Sequence, residues 1–313
     1  MMLRYCLKLL FSLGITLFVL NGCSSEPLPK IKKEKLSVLS TTVMIGDIVT
    51  YIGGDKIVSD ILINRELDPH SYEFVKGDDE KLLEADLIFY NGLGLEHGGS
   101  VRRYLNKSLN SYALGDELDR RCPGLLIYLD HIPDPHIWMD VSLWQKVAEL
   151  VTQILMEKDP VHSAYFLERG GRLQNKYAQL HQAIHKKMTS ISLEQRYLVT
   201  SHDAFNYFAR AYLGSDWQQR VLAPEGLAPD GQISLQGLRL IIDQMKEHHI
   251  EVIFPEAYVS SDPLKKIQES ADFEGLAVKL SHDPLYSDSL PEATDYEGMM
   301  SYNAGVIYDN LAR

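Results

Sequence analysis

One long helical pattern divides this chain of 313 residues and constrains its fold more than any other feature. From about residue 162 to residue 187, apolar side chains recur at helical spacing along a mostly polar sequence, interrupted only by Gly170-Gly171. A helix of about 25 residues is roughly 38 Å long, which is enough to cross between two domains. The chain is long enough for two domains, each with its own hydrophobic core. We therefore expect residues 161–189 to form a stiff connecting helix.

On either side of this helix, short apolar runs of strand length alternate with helical patterns. On the N-terminal side, the strand-like runs are 36–42, 57–63 and 87–91. The alternation restarts at residue 197 and continues to the end of the chain. Such alternation favours a parallel sheet with helices on both faces. The prediction is an α/β fold with two parallel-sheet domains, an N-terminal domain over residues 36–160 and a C-terminal domain over residues 190–313.

The first 22 residues have the pattern of a secretory signal peptide. Two basic residues precede an apolar run, Leu9–Leu20, which is too short for a comfortable transmembrane helix. The run leads into Asn21-Gly22-Cys23, which resembles a bacterial lipobox in which the cysteine is lipidated. The alternative, an uncleaved membrane anchor, does not account for the cysteine. We therefore expect residues 1–22 to be removed, Cys23 to be lipidated, and residues 23–35 to tether an extracytoplasmic protein to a bacterial membrane.

Composition excludes several classes of partner and site. The formal net charge of −12 argues against nucleic-acid binding, because phosphate contacts require a basic surface. Once the signal peptide is removed, Cys122 is the only cysteine besides Cys23. Neither an intramolecular disulfide nor a cysteine-rich zinc site is therefore expected. The expectation is an acidic monomer whose stability comes from packing.

Three histidines follow predicted strands, and two of them lie in the same tripeptide. Asp68-Pro69-His70 recurs as Asp134-Pro135-His136, and His202 follows a strand that ends at Ser201. Proline fixes its own φ and restricts the residue before it, so each Asp-Pro-His unit presents its imidazole on a stiff turn. Ligands commonly bind at the carboxyl ends of parallel strands. The pattern therefore predicts that the three imidazoles bind one divalent transition metal ion.

Each of these histidines has an aspartate close to it in sequence. The three aspartates are Asp68, Asp134 and Asp203. A carboxylate that holds the second ring nitrogen of a ligating histidine fixes its tautomer and raises its basicity, and we expect this role for all three. Two loop acids, Glu225 and Glu256, are more simply interpreted as solvated or helix-capping.

A set of longer motifs carries a family resemblance. These motifs are Asp68-Pro-His-Ser-Tyr-Glu73, Ala85-Asp-Leu-Ile-Phe-Tyr-Asn-Gly-Leu-Gly-Leu-Glu96, Asp134-Pro-His-Ile-Trp-Met-Asp140, Thr200-Ser-His-Asp-Ala-Phe205, Leu285-Tyr-Ser-Asp-Ser-Leu290 and Tyr296-Glu-Gly-Met-Met-Ser-Tyr-Asn303. In order and spacing they resemble the metal-binding lipoproteins of ATP-binding-cassette (ABC) importers, the TroA-like zinc and manganese family. The resemblance extends from about Leu36 to the C-terminus. It implies two α/β domains joined by a long helix, with the metal in the cleft between them.

The resemblance implies that the four ligands are His70, His136, His202 and Asp288. The residues themselves leave the fourth ligand open, because Asp283 and His282 lie in the same loop as Asp288. Manganese-selective relatives commonly have glutamate where this chain has His202. Many zinc-selective relatives have a histidine-rich loop or a disulfide, and this chain has neither. The expected ion is Zn²⁺ or Mn²⁺, with iron as a further candidate.

The expected function is high-affinity capture of this ion and its delivery to an ABC permease with its ATPase, without catalysis. One alternative is a zinc-dependent hydrolase, because three histidines and a water also form a catalytic zinc site. A hydrolase needs an open coordination position, which Asp288 would close, and the sequence has no His-Glu-x-x-His motif. A second alternative is a surface adhesin, which only the expected surface location favours.

Overall fold

The computed structural model describes residues 35–229 and 234–312. The expected signal peptide over 1–22, the lipidation site Cys23 and all of the tether except its last residue lie outside these ranges. Within them, no helix combines the length and the apolar character needed to cross a membrane. The described residues form an α/β fold, which confirms the predicted fold class.

Four parallel strands form the sheet of the N-terminal half, in the spatial order β2-β1-β3-β4. The strands are β1 (Leu36–Ser40), β2 (Ile57–Ile61), β3 (Leu87–Tyr90) and β4 (Ser111–Ala113). The connecting helices are α1 (Val43–Gly53), α2 (Asp78–Glu84), α3 (Gly99–Leu105) and α4 (Leu114–Arg121). Buried Val38 and Leu39 face opposite sides of β1, as expected for a strand covered on both faces. All four strands end at one edge, and the loop that carries His70 follows β2.

Beyond this sheet, the apolar run over residues 125–129 contributes only a short hairpin. β5 (Tyr128–Leu129) pairs antiparallel with β6 (Ile132–Pro133), and the two residues of the turn have φ angles of 48° and 69°. The backbone N–H of Asp134 donates to the carbonyl oxygen of Ile127 at 2.9 Å. The hairpin thus fixes the point at which the second Asp-Pro-His segment begins.

Two long helices pack side by side, α5 (Val141–Lys158) and α6 (Ser163–Thr189). The predicted long helix is therefore present, whereas its role as a boundary between domains stays a prediction. A Cβ atom added to Gly170 would lie 2.2 Å from Oγ1 of Thr152 on α5. Gly170, which weakened the helical pattern, is therefore the residue that lets the two helices approach closely.

The C-terminal half contains short parallel strands covered by helices. Its strands are β7 (Leu198–Val199), β8 (Val221–Leu222), β9 (Val252–Ile253) and β10 (Lys279–Leu280). β7 pairs with β8, β9 pairs with β10, and the N–H of Phe254 donates to the carbonyl of Val199 to join the two pairs. The helices are α7 (Asn206–Tyr212), α8 (Leu235–Glu247), α9 (Asp262–Phe273) and α10 (Tyr296–Leu311). The pairing is parallel as predicted. β7, β9 and β10 are shorter than the apolar runs 197–201, 252–254 and 276–280 that contain them, whereas β8 lies at the start of a Pro/Gly-rich stretch whose composition predicts a loop.

Candidate metal centre

The second Asp-Pro-His segment holds its histidine by local contacts. Oδ1 of Asp134 accepts the backbone N–H of His136 at 2.9 Å and lies 2.7 Å from Nδ1 of the same residue. The other carboxylate oxygen accepts from the side-chain amide of Asn206 at 3.1 Å. Both His136 and Asp134 are fully buried. This contact places the ring proton on Nδ1 and leaves the lone pair of Nε2 available to a metal ion.

The first Asp-Pro-His segment uses its aspartate differently. Asp68 accepts the backbone N–H of His70 at 2.8 Å, and its other oxygen accepts from the backbone and hydroxyl of Ser71. These bonds brace the turn, and Asp68 makes no hydrogen bond to the His70 ring in the described part of the chain. The expectation that Asp68 holds this ring is therefore corrected, because its carboxylate is engaged by the backbone of its own turn. The His70 ring is nevertheless buried.

A glutamate that the sequence placed in solvent holds the third histidine. Oε1 of Glu256 accepts the backbone N–H of His202 at 2.9 Å, and Oε2 lies 2.8 Å from Nδ1 in an ionic contact rather than an aligned hydrogen bond. Glu256 is 3% exposed, so the solvated or helix-capping interpretation is wrong for it. Asp203, the expected partner of His202, instead accepts from the side-chain amide of Asn206 at 2.9 Å.

The three Nε2 atoms converge on the carboxylate of Asp288. They lie 3.7 Å from it for His70, 3.5 Å for His136 and 3.1 Å for His202, and the four ligand atoms are all within 4.8 Å of one another. A tetrahedral ion with bonds of about 2.0–2.1 Å would separate its ligand atoms by about 3.3 Å. The arrangement therefore has the dimensions of a site for one metal ion.

These ligand atoms are buried, and none of them has a hydrogen-bond partner within the described ranges. The group comprises Nε2 of all three histidines and both carboxylate oxygens of Asp288. Buried polar atoms without partners carry a desolvation cost of about 1–3 kcal/mol each. A cation at their centre would satisfy all of them at once, so the residues present fit a bound metal ion.

The electrostatics of the cluster also favour a cation. Burial lowers the pKa of His70 to about 3, so its imidazole is neutral and able to ligate at neutral pH. Burial alone would also lower the pKa of His202, but the carboxylates of Glu256 and Asp288 raise it well above its ordinary value. The pKa of Asp288 is lowered, because the surrounding imidazoles outweigh the effect of its burial. The Asp288 carboxylate is thus ionised among the three rings.

The other candidates for the fourth ligand lie elsewhere. The side chains of Asp283 and His282 are 63% and 98% exposed and contact each other at 3.1 Å. The loop that follows β10 therefore brings Asp288 to the histidines and leaves Asp283 and His282 in solvent. In the structure, Asp288 lies between two buried residues, Ser287 and Ser289.

Comparison with protein families gives a match over nearly all the described residues. The family described as zinc-uptake complex component A, periplasmic, matches residues 38–310. The chain belongs to this family. The match includes all four residues of the candidate site.

Curated relatives align over almost their whole length. The chain is 38% identical to the metal-binding protein YtgA of Chlamydia pneumoniae, over 93% of this chain and 90% of the relative. It is 29% identical to the manganese-binding lipoprotein MntA of Bacillus subtilis, with 93% and 94% of the two chains covered. The first of these names refers to metal in general and the second to manganese.

Solved structures share the fold. The structure of Fe(III)-bound YtgA from Chlamydia trachomatis superposes with a TM-score of 0.84 at 33% identity, covering 88% of this chain and 98% of the other. The periplasmic zinc-binding protein TroA from Treponema pallidum gives a TM-score of 0.82 at 29% identity, covering 89% and 100%. These likenesses confirm the predicted TroA-like α/β fold.

Proposed function

We propose that this protein captures a transition metal ion outside the cytoplasm and delivers it to the permease of an ABC importer. The observation that carries the proposal is the convergence of three imidazole nitrogens and one carboxylate, whose ligand atoms are buried and have no hydrogen-bond partner among the described residues. Such a set of atoms is costly to bury unless a cation occupies its centre. Family membership and the names of the relatives point to the same role.

In this proposal the ligands are Nε2 of His70, His136 and His202 and the carboxylate of Asp288. Asp134 and Glu256 hold the second ring nitrogens of their histidines and fix the tautomers that ligation requires. Three nitrogens and an oxygen suit Zn²⁺ in tetrahedral geometry, and a bidentate carboxylate would provide the fifth bond that Mn²⁺ or iron accepts. Manganese, iron and zinc also appear in the names or bound states of the relatives described above.

The proposed domains divide the ligands evenly. With an N-terminal domain over 36–160 and a C-terminal domain over 190–313, joined by the helix over 161–189, each domain supplies two ligands. The ion would then bridge the cleft and hold the domains together. Metal-loaded and metal-free protein would differ most in the loops beside the ion, which gives a permease a way to distinguish the two states.

The proposed location is the outer face of a bacterial membrane. Residues 1–22 would direct export, and lipid on Cys23 would keep a monomeric binding protein next to its permease and the associated ATPase. The lipobox-like sequence supports this, as do relatives named lipoproteins, among them MntA. Metabolic labelling with a palmitate analogue is expected to mark the wild-type protein and to leave Cys23→Ala unmarked.

Members of this family serve ABC importers as binding proteins and not as enzymes. The hydrolase alternative would require a coordination position open to water. The carboxylate of Asp288 lies within 3.7 Å of all three imidazoles and occupies that position in the proposed site. No observation on the described residues favours adhesion.

Calorimetry on the soluble part of the protein tests the proposal. The wild type is expected to bind one equivalent of Zn²⁺ or Mn²⁺, and His136→Ala is expected to lose this binding because a fully buried ligand is removed. His282→Ala is the matched control, since its side chain is 98% exposed. Equal affinity of His136→Ala and wild type would show that the site is wrong.

A further inference from the structure

The loop that carries Asp288 belongs to the C-terminal half, yet residues of the N-terminal half hold it on both sides. Before Asp288, the indole N–H of Trp138 donates to the carbonyl oxygen of Ser287 at 2.7 Å. After it, the hydroxyl of Ser289 donates to the carbonyl oxygen of Arg65. The position of Asp288 relative to the three histidines therefore depends on contacts between the two halves.

Arg65 makes the most extensive of these contacts. It lies in the loop after β2, five residues before His70, and its side chain is half-buried. One terminal nitrogen, Nη1, donates to the carbonyl oxygen of Pro291 at 2.6 Å, and both terminal nitrogens lie 3.4 Å from the carbonyl oxygen of Thr294. A charged guanidinium with two carbonyl acceptors gives stronger and better-oriented bonds than a neutral donor. Arg65 thus fastens the segment 289–294 to the N-terminal half.

A small cavity lies beside the hydrogen bonds of Arg65 and next to the proposed ion position. Its volume is about 30 Å³, which is room for roughly two water molecules at most. Arg65, Leu67 and Asp68 line it from the N-terminal half, and Tyr258 and Asp288 are among the residues that line it from the other half. The cavity therefore marks a seam between the two halves at which the carboxylate of Asp288 is the ligand nearest to solvent.

Asp288 is also the least buried of the four ligands. Its side chain is 9% exposed, compared with 3% for His70 and 0% for His136 and His202. The histidines sit on turns braced by carboxylates, whereas the loop of Asp288 is braced by Arg65, Trp138 and the hydroxyl of Ser289. Asp288 is the ligand that lines the cavity. An ion that leaves through the cavity must therefore first lose its bond to Asp288.

We propose that Arg65 is a positioning residue that holds Asp288 on the metal ion and thereby limits the rate of metal release. The inference rests on the proposed function, because it concerns release from the same site. While Arg65 holds segment 289–294, Asp288 cannot swing away from the three imidazoles. When these bonds break, the carboxylate and the ion gain access to the seam together. A permease that competes for Arg65 or for the carbonyl of Pro291 would unlock the ion.

The test is the rate at which Zn²⁺ dissociates from the folded protein, measured by stopped flow with an excess of a chromogenic chelator. Arg65→Met is expected to release Zn²⁺ about 10-fold faster than wild type, which is the effect of losing one or two charge-assisted hydrogen bonds. The association rate is expected to change less than threefold. Arg65→Lys keeps the positive charge but loses the paired terminal nitrogens of the guanidinium. Its release rate should therefore lie between those of the wild type and Arg65→Met, and it provides a second variant if Arg65→Met folds poorly.

Arg196→Met is the matched control. Arg196 also donates to backbone carbonyls, those of Thr189 and Ile191 at 2.7–2.9 Å, but it braces the end of α6 and not the loop of Asp288. The Arg196→Met variant is expected to release Zn²⁺ at the wild-type rate. A release rate raised equally in Arg65→Met and Arg196→Met would overturn the inference, because general destabilisation would then explain both.

A double-mutant cycle separates positioning from stability. In an Asp288→Ala background, Arg65→Met is expected to leave the release rate unchanged, because Arg65 acts through the lost carboxylate. A full 10-fold effect in that background would overturn the inference, as would wild-type-like release by Arg65→Met alone. If the wild type binds neither Zn²⁺ nor Mn²⁺, the proposed function fails. If the wild type binds Zn²⁺ and Arg65→Met releases it at the wild-type rate, only the role of Arg65 is wrong.

Discussion

The two halves of the molecule hold their ligands in different ways. In the N-terminal half, Asp68 and Asp134 contact histidines two residues away, on turns stiffened by proline. In the C-terminal half, His202 is held by Glu256, 54 residues distant. The neighbours of Asp288, Ser287 and Ser289, are bonded to Trp138 and Arg65, which lie 149 and 224 residues away from them along the chain. The first pair of ligands is thus organised by local sequence and the second pair by tertiary structure.

This difference teaches which part of the site is pre-organised. The bonds from Asp68 to His70 and Ser71 and from Asp134 to His136 span three residues or fewer, so they can persist however the halves pack. The Asp134 turn is also held by Asn206 of the C-terminal half, and the Asp68 turn is therefore the more local of the two. The loop of Asp288 keeps its geometry only while contacts across the molecule persist. The N-terminal ligands therefore suit initial capture, and the C-terminal ligands suit closure and release.

The largest loss of Zn²⁺ affinity is expected when the long-range contact that holds His202 is removed. Glu256→Ala removes both contacts to this residue and the negative charge beside its ring, so the affinity for Zn²⁺ is expected to fall about 100-fold, measured by competition with a chelator. Glu269→Ala, on the exposed face of α9, is the control and should bind like wild type. Wild-type affinity in Glu256→Ala would contradict the assigned role of Glu256.

A smaller effect is expected from the local support of His136. Asp134→Asn keeps an acceptor for the backbone N–H but loses the charge beside Nδ1, and we expect about a 10-fold loss of Zn²⁺ affinity. The measurement is the same competition assay. An effect equal to that of Glu256→Ala would mean that local and long-range supports are equally important.

The two Asp-Pro-His segments provide the next comparison. Asp68→Asn changes a residue that braces the backbone of its turn and does not hold the ring, so the loss of affinity is expected to be threefold or less. Its counterpart Asp134→Asn serves as the matched variant. A larger loss for Asp68→Asn than for Asp134→Asn would reverse the assignment of the two aspartates.

The smallest expected effect on metal binding concerns the contact at the start of α10. Asp47 accepts the backbone N–H of Tyr296 at 3.3 Å, and burial raises its pKa from 3.8 to about 6. Because the folded-state pKa is the higher one, ionising Asp47 costs stability. The wild type should therefore lose stability relative to Asp47→Asn as the pH rises from about 4 to about 6.

Thermal melting at pH 4, 5, 6 and 7 measures this difference, which should reach a few degrees at neutral pH. Zn²⁺ affinity should remain within twofold of wild type, since Asp47 contacts no proposed ligand. A constant difference in melting temperature at all four pH values would contradict the raised pKa of Asp47.

Local patterns predicted the parts of the fold and site whose causes are local. Both Asp-Pro-His turns and the length of α6 follow from residues within a few positions of one another. β7, β9 and β10 are shorter than the apolar runs that contain them, because only two residues of each run pair with a neighbour. β4 has three residues, and so short a strand leaves almost no periodic signal.

Partners distant in sequence could not be predicted in this way. Nothing beside Glu256 distinguishes it from a solvated acid, since the contact that buries it comes from a loop 54 residues earlier. Asp203 was expected to hold His202 because it is adjacent, but Asn206 engages its carboxylate instead. The choice of Asp288 over Asp283 followed from resemblance to a family, and the packing of Trp138 and Arg65 supplies its physical basis.

The close packing of α6 against α5 has a consequence for how this protein can move. Where Gly170 meets Thr152 there is no space for even one methyl group, so the two longest helices touch almost backbone to side chain. Sliding one helix past the other by a single turn would bring bulkier residues into that gap. The helix pair should therefore act as a rigid frame, and the moving part on metal release should be a few residues around Asp288.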